Sequence, residues 1–276
     1  MDIISDNNVS TNIIQPKIAL CFIISYKHIL NKEQIWKEWI EPNKDIINVY
    51  FHYKELKLIK SEWIHKHALP QHYIIPTSYF KVVGAYMSLI LFGLKSDSNN
   101  KWFCFLTESC APIISPAKFR EIFFLYHSKS ILKWNYAWWN VNFHKRANLR
   151  LLPKMYHLGH DPWFILTRDH AIKCFNYTKI ERPTYNIICN GGLANESIFI
   201  VILKQCGEIN NILNESVNVA NWEKMSSANS PYVFKSGSTY EIEYIKELLE
   251  KNKFSIFLRK VDVSFPDTIL RKYLLL

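Results

Sequence analysis

Apolar segments of strand length alternate with amphipathic segments from residue 17 onward, and this alternation restricts the chain to layered α/β folds. Residues 17–26 form an isoleucine-rich run that predicts a buried strand. Residues 33–40 place isoleucines and tryptophans at helical spacing, and residues 46–53 predict a second strand. We therefore expect the chain to open with a strand, a helix and a second strand parallel to the first.

The same alternation continues to the C-terminus of the chain. We expect Asn31 to cap the first helix and Asn195 to cap a buried helix over 195–206. Glu241 falls on the predicted solvated face of a helix over 240–251. The other expected elements are helices over 82–94, from Pro116, over 168–175 and over 267–275, and strands over 102–106, 163–167 and 254–258.

Together these elements predict an α/β sandwich with a largely parallel central sheet, a fold that binds ligands beyond the carboxyl ends of its strands. No stretch rich in Pro, Gly or Ser divides the chain. We therefore expect a flexible N-terminal tail over residues 1–16 and a single domain over residues 17–276.

The charge balance favours an anionic partner without identifying it. The chain has 34 Lys and Arg against 24 Asp and Glu, a formal net charge of +10. Such a surface suits nucleic acid, an anionic membrane or a small anionic substrate. No apolar run approaches the ~18 residues that a membrane span needs. Residues 1–15 lack the basic and apolar regions of a signal peptide, which predicts a cytoplasmic protein.

The cysteines and the short motifs exclude several kinds of site. The six cysteines are scattered and largely in apolar stretches, so we expect reduced thiols and neither disulfides nor a structural zinc site. The P-loop, Rossmann and nucleophile-elbow signatures do not occur. No D-x-D, the usual metal-binding motif of nucleotide-sugar enzymes, occurs either. We expect no metal ion and no cofactor.

Four segments are informative as an ordered set: F-L-T-E-S-C-A-P-I at 105–113, G-H-D-P-W-F-I-L-T-R-D-H-A at 159–171, N-E-S at 195–197 and F-L-R-K-V at 257–261. They resemble S-E-S-C-x-P-L, G-S-x-W-F-x-L-x-R-x-x-A, D-E-H and L-F-A-R-K-F of the core-2/I-branching β-1,6-N-acetylglucosaminyltransferase family, which includes peptide O-xylosyltransferase and plant relatives. Residues 17–53, 84–94 and 146–153 are also similar to the family, in the same order.

The resemblance implies a GT-A-like nucleotide-sugar-binding α/β/α sandwich and an inverting, metal-independent glycosyl transfer from a UDP-sugar. By the same resemblance, Glu196 matches the catalytic base and Lys260 the residue that holds the UDP diphosphate. Glu108 matches an acidic residue that faces the sugar. The chemistry agrees, because a positioned carboxylate takes the proton of the attacking hydroxyl, and adjacent cations offset the charge of the leaving diphosphate.

The remaining candidate residues also come from matched motifs. Arg259 stands beside Lys260, and His52 matches the histidine of the family's V-H-x-D segment at the nucleotide. Trp163, Arg168 and Arg146 are the expected contacts of the acceptor or of the transferred sugar, with Trp163 as an aromatic platform.

The chain also departs from the family pattern. Lys54 replaces the acid of V-H-x-D, while Asn195 and Ser197 flank Glu196 in place of Asp and His. The family's membrane anchor and cysteine framework have no counterpart. Together with heavy use of Ile, Asn and Lys, this is typical of an AT-rich genome such as that of a large virus or a protist. The expected location is then the cytoplasm, that of the host for a viral protein.

The leading hypothesis is an inverting glycosyltransferase that moves a sugar, first N-acetylglucosamine and then xylose or glucose, from UDP to a glycan acceptor. Two alternatives stay open. The first is a basic nucleic-acid-binding protein. The dispersal of the basic residues along the chain argues against it. The second is a catalytically inactive, glycosyltransferase-like lectin, which Lys54 favours and Glu196 with Lys260 disfavours. The acceptor, the linkage and the oligomeric state are not predicted.

Overall fold

The computed structural model describes residues 15–142, 145–227 and 230–275. Apart from Gln15 and Pro16, the predicted tail lies outside these residues. The strands are β1 (Lys17–Ile23), β2 (Ile47–His52), β3 (Asn100–Thr107), β4 (Ala111–Pro112), β5 (Ser130–Ile131), β6 (Trp134–Tyr136), β7 (Leu158–His160), β8 (Ile165–Thr167), β9 (Ile212–Leu213), β10 (Asn218–Ala220) and β11 (Phe257–Arg259). The α-helices are α1 (Glu33–Ile40), α2 (Glu62–Lys66), α3 (Val83–Ser96), α4 (Pro116–Tyr126), α5 (Arg168–Ile180), α6 (Arg182–Cys189), α7 (Ile198–Gln205), α8 (Thr239–Lys251) and α9 (Asp267–Leu274).

The central sheet has six strands in the order β2-β1-β3-β8-β5-β9. Strand β1 pairs in parallel with β2 and β3, while β8 runs antiparallel between β3 and β5. Strands β5 and β9 are again parallel. The predicted α/β class with a mostly parallel sheet is therefore confirmed.

Alternate residues of the central strands face two separate helical layers. Ala19 and Cys21 of β1 pack in a core with α3, α5 and α7, whereas Leu20 and Phe22 pack with α1 and α4. Because successive side chains of a strand point to opposite faces, this division makes a three-layer α/β/α sandwich. It also explains why these strands are apolar at nearly every position.

A second sheet adjoins the sandwich and brings the C-terminal part of the chain to the candidate site. It has three strands in the order β10-β11-β4, with β10 and β11 parallel and β4 antiparallel. Its own apolar core includes Leu258 together with residues of α8 and α9. Strand β4 follows closely after β3, so the end of β11 lies near the end of β3.

Two predicted helix caps are wrong, because their side chains have distant partners. The side chain of Asn31 donates to the carbonyl of Val261 at 2.7 Å, and no side chain caps α1. Asn195 lies in a short 3-10 turn, Ala194–Glu196, and α7 starts only at Ile198. Both asparagines link segments that the local pattern treats as independent.

The carboxyl ends of the first three strands meet at one edge of the central sheet. Ile23 at the end of β1 is in register with His52 at the end of β2 and with Thr107 at the end of β3. Open α/β sheets bind ligands at this edge. The loops that follow these strands and β11 therefore hold the candidate functional residues.

Candidate active site

Arg259, the last residue of β11, is anchored against the end of β3. Its guanidinium donates to the hydroxyl of Thr107 and, at 2.7 Å, to that of Ser109. The same guanidinium lies 4.1 Å from the ring centroid of Trp163, which precedes β8. Arg259 is therefore oriented by two hydroxyls and one aromatic face, so its charge is held in a fixed position at the sheet edge.

Lys260 is half-buried beside Arg259. Its ammonium donates to the hydroxyl of Ser230 at 2.7 Å. Burial, together with the positive charge of Arg259, lowers the pKa of Lys260, while the carboxylate of Glu108 opposes this shift. The structure thus brings together Arg259, Lys260 and Glu108, three of the residues that the sequence predicts for the site, with a local excess of positive charge.

Trp163 is half-buried, and the face predicted as a sugar platform is in contact with Arg259. The next residue in the chain, Phe164, bonds through its carbonyl to the N–H of Phe105 in β3. This pairing places Trp163 near the carboxyl end of β3. One face of the Trp163 ring therefore supports the cation, and contact of this ring with a sugar stays a prediction.

Glu196 and Arg146 form an ion pair on the other side of the site. About a fifth of each side chain is exposed, 19% for Glu196 and 22% for Arg146. The guanidinium of Arg146 also lies 4.1 Å from the ring centroid of Trp139, and burial lowers the pKa of Arg146. The ion pair therefore fixes the position of the Glu196 carboxylate relative to Arg146.

The backbone around two glycines holds the two members of this pair together. Ala147 donates its N–H to the carbonyl of Gly192 at 2.7 Å, and Gly192 donates to the carbonyl of Lys145 at 3.3 Å. At Gly191 a Cβ atom would lie 2.4 Å from the backbone nitrogen of Asn148. A side chain at Gly191 would therefore push the Arg146 loop away from Glu196.

Tyr86 of α3 connects the cation side of the site with the carboxylate side. Its hydroxyl donates to the carbonyl of Pro162 at 2.7 Å, next to Trp163, and is hydrogen-bonded to the side chain of Asn195, next to Glu196. Burial raises the pKa of Tyr86 and the charge of Arg259 opposes this. One buried hydroxyl thus contacts the segments that carry Trp163 and Glu196.

Two predicted residues lie outside this arrangement. The ring of His52 is 1% exposed and accepts the N–H of Ile75 at 3.3 Å, and burial lowers the pKa of His52 to about 4. Arg168 begins α5 at the opposite edge of the sheet and donates to the carbonyl of Leu94 in α3 at 3.2 Å. Arg168 is therefore not placed to contact a sugar at the carboxyl edge, contrary to the expectation, while the ring of His52, which was expected at the nucleotide, is buried at the end of β2 and bonded to the backbone of Ile75.

The structure also places a set of metal-ligand side chains away from the candidate site. Asp169, His170 and Glu208 lie close enough to share an ion. The ammonium of Lys173 contacts both carboxylates at 2.5 Å, which offsets half of their negative charge without a metal. The six cysteines are free, as expected. No helix in the described parts of the chain is long and apolar enough to cross a membrane.

An α/β/α sandwich with a carboxylate and a pair of cations at the carboxyl edge of its sheet has the architecture of a nucleotide-sugar glycosyltransferase. The family model described as Core-2/I-Branching enzyme matches residues 20–249, and the chain belongs to this family. Family membership implies glycosyltransferase activity. A search of curated proteins found no match.

Several residues of the site escaped the sequence reasoning. Trp139 and Ser230 belong to no matched segment, and Tyr86 lies in the matched segment 84–94 without being a predicted site residue. The structure places Trp139 and Ser230 against charged side chains and the hydroxyl of Tyr86 against the carbonyl of Pro162. The tandem tryptophans next to a segment with Lys145 and Arg146 are the one signal that was available. The pairing of Arg146 with Glu196 needed the fold, because 50 residues separate them in sequence.

Proposed function

We propose that this protein transfers a sugar from a UDP-sugar to a hydroxyl of a glycan acceptor, with inversion and without a metal ion. N-acetylglucosamine is the donor sugar that we favour, because it is the sugar of the enzymes the chain resembles. One observation carries the proposal: the hydroxyls of Thr107, Ser109 and Ser230 hold Arg259 and Lys260 in place at the carboxyl edge of the sheet. Cations fixed in this way suit the departure of a diphosphate, and Glu196 offers a carboxylate for the acceptor proton.

Glu196 is the general base in this proposal. The acceptor hydroxyl attacks the anomeric carbon while its proton passes to the carboxylate, and a positioned base contributes about 10²–10⁴-fold. The ion pair with Arg146 supports this role, because it fixes the direction of the carboxylate. When the proton arrives, Arg146 remains as a cation beside the acceptor.

Arg259 and Lys260 stabilise the leaving UDP. Charge builds on the diphosphate as the bond to the sugar breaks, and preorganised cations lower the energy of that state. The hydroxyls of Thr107 and Ser109 hold Arg259, and that of Ser230 holds Lys260, so among the residues that the structure describes neither cation is engaged in a salt bridge with a carboxylate. This arrangement suits a reaction in which side chains supply the charge that a metal ion supplies in other nucleotide-sugar enzymes.

The experiment is a thermal-shift panel of UDP-sugars in EDTA, since a bound donor raises Tm by mass action. UDP and at least one UDP-sugar should raise Tm, and Lys260→Met should abolish the shift. Lys253→Met is the matched control, because the Lys253 ammonium also bonds a single hydroxyl, that of Tyr126 at 2.8 Å. Binding that needs added manganese would contradict the metal-independent reaction. Absence of UDP binding altogether would contradict the proposal as a whole.

A further inference from the structure

A group of exposed apolar and basic side chains lies beside the paired strands β6 and β7. Tyr136 is 66% exposed, and Leu151 and Met155 are each 54% exposed. Arg150 and Lys154, which precede Leu151 and Met155 in the sequence, are also exposed. We call these five residues the loop surface. Apolar side chains grouped at the surface and bordered by polar ones mark binding sites.

Backbone hydrogen bonds bring the two segments of the loop surface together. Ala137, next to Tyr136, donates its N–H to the carbonyl of His157 at 2.9 Å. The ring of His157 is in turn hydrogen-bonded to the carbonyl of Leu152 at 3.0 Å, next to Leu151. The loop that carries Leu151 therefore lies against the end of β6.

Neighbouring side chains of the same segments anchor the loop surface in the core. Ala137, Leu152 and Tyr156 pack against the apolar core that contains α3, α5 and α7. Because these residues hold the backbone, the fold directs Leu151 and Met155 outward. An apolar surface that is held open in this way loses little conformational freedom on binding.

The part of the chain that carries the loop surface has charge of one sign only. Residues 122–160 contain no Asp or Glu, although the whole chain has 24. The same residues include six cationic side chains: Lys129, Lys133, Lys145, Arg146, Arg150 and Lys154. The exposed cations of the loop surface therefore lie in a locally basic region, which attracts an anionic partner.

An anionic lipid bilayer is complementary to this combination of groups. Tyrosine rings lie preferentially at the boundary between lipid headgroups and acyl chains, and leucine and methionine gain from burial among the chains. Each Lys or Arg close to anionic headgroups raises the binding constant about fivefold. Nucleic acid would also attract the cations, but its phosphate backbone offers no apolar phase to Leu151 and Met155.

We propose that the loop surface docks this protein on a membrane that contains anionic phospholipids. Tyr136, Leu151 and Met155 enter the boundary between headgroups and acyl chains, while Arg150 and Lys154 contact the lipid phosphates. Attraction of the cations and burial of the apolar side chains both contribute, so loss of either set weakens docking. The inference does not depend on sugar transfer, because docking needs neither UDP nor an acceptor.

Co-sedimentation of the full-length protein with sucrose-loaded vesicles measures docking. Vesicles of phosphatidylcholine with about one third phosphatidylserine should bind the protein about tenfold or more tightly than vesicles of phosphatidylcholine alone. The double variant Arg150→Gln with Lys154→Gln should weaken binding to the mixed vesicles about tenfold or more. Leu151→Ser with Met155→Ser should weaken it about tenfold, although the net charge is unchanged.

A loop of similar composition elsewhere in the chain provides matched controls. Leu58 is 47% exposed between Lys57 and Lys60, but Glu55 pairs with Lys57 at 3.5 Å. Lys57→Gln with Lys60→Gln removes the same net charge as the basic variant of the loop surface, and Leu58→Ser removes an exposed leucine. Each control should weaken vesicle binding no more than about twofold, since attraction to the membrane falls off within a Debye length.

Several results would overturn the inference. Equal binding to the two kinds of vesicle would exclude recognition of anionic lipid. Equal losses in the control variants and in the loop-surface variants would mean that only the net charge of the protein matters. Wild-type binding by Leu151→Ser with Met155→Ser would exclude insertion of the apolar side chains. Binding to a single-stranded oligonucleotide that the Arg150 and Lys154 substitutions weaken, without binding to vesicles, would assign the surface to nucleic acid.

Discussion

Replacement of Glu241 tests quantitatively how strongly hydrogen bonds stabilise the loop next to Lys260. Its side chain is fully buried, contrary to the predicted solvated face. One carboxylate oxygen accepts the N–H groups of Ser236 at 3.1 Å, Gly237 at 2.6 Å and Ser238 at 3.2 Å. The other accepts the N–H of Lys235 at 2.9 Å. The carboxylate thus organises the turn before α8 much as a bound anion would.

Glu241→Gln keeps the shape of the side chain and replaces one acceptor oxygen by an NH₂ group. Whichever way the amide turns, backbone donors face another donor. Hydrogen bonds to a charged group contribute about 1.5–3 kcal/mol each, and an unsatisfied buried donor costs about 1–3 kcal/mol. With at least one bond lost and one donor orphaned, we expect the free energy of unfolding to fall by about 3–5 kcal/mol.

Urea unfolding followed by circular dichroism measures this loss. Glu243→Gln is the control, because Glu243 is exposed on the same helix and should change stability by no more than about 0.5 kcal/mol. UDP affinity should also fall in Glu241→Gln, since Phe234, at the start of the same loop, donates its N–H to the carbonyl of Lys260 at 2.8 Å. A loss of less than about 1 kcal/mol would refute the reasoning, because the hydrogen bonds would then carry little of the loop's stability.

The pH dependence of the same variant gives a second check. Burial opposes ionisation of Glu241, but hydrogen bonds from the loop outweigh it and lower the pKa below the ordinary value of 4.5. A carboxyl whose pKa is lowered on folding contributes stability above its unfolded pKa and loses it as the pH falls through the folded value. The stability difference between wild type and Glu241→Gln should therefore shrink below about pH 4.5.

Three further predictions concern the buried histidine and the contacts around Arg259. Burial lowers the pKa of His160 from 6.5 to about 4, so the unfolded chain takes up a proton at a higher pH than the folded protein does. The free energy of unfolding of the wild type should therefore fall as the pH is lowered from 6.5 to about 4. In urea unfolding, His160→Phe should show a smaller fall over the same range. Trp163→Ala removes the aromatic support of Arg259 and should weaken UDP binding several-fold by calorimetry, and unchanged UDP affinity would mean that the stack is dispensable. Tyr86→Phe should lower kcat at least tenfold. Tyr50→Phe also removes a buried, hydrogen-bonded hydroxyl and should cost similar stability without loss of kcat. Equal kcat in the two variants would contradict a positioning role for Tyr86.

The long elements of the fold were predictable from local pattern. Residues 33–40 are helical as expected, and the first three strands fall within three residues of their predicted limits. These segments have a strong hydrophobic period, and the sandwich buries the faces that the period defines. The layer order followed from the alternation of strands and helices.

Failures of prediction fall where distant groups decide the structure. Asn195 is a good helix cap by residue type, yet Leu193 adopts a φ of +54° and the chain turns so that Asn195 meets Tyr86. Arg168 matches a motif residue, but its hydrogen bonds to the end of α3 hold it at the far edge of the sheet. No local pattern contains these partners.

The individual residues of the candidate site were predicted from the sequence, but the ion pair that two of them form was not. The resemblance named Glu196, Arg146, Arg259 and Lys260 separately. The ion pair of Glu196 with Arg146 depends on Gly191, where the loops pack backbone to backbone. Such a contact joins loops that are distant in sequence, so it becomes visible only once the fold brings them together.

The most direct test of the account is sugar transfer by Glu196→Gln, measured with the UDP-sugar and acceptor that the wild type uses. Glutamine keeps the shape of the side chain and cannot take the proton, so we expect unchanged UDP-sugar affinity and a kcat lower by about 10²-fold or more. Glu108→Gln serves as the comparison, because Glu108 lies beside Lys260 and is the next carboxylate at this edge. A near wild-type kcat for Glu196→Gln, with a large loss in Glu108→Gln, would contradict the assignment and move the base to Glu108.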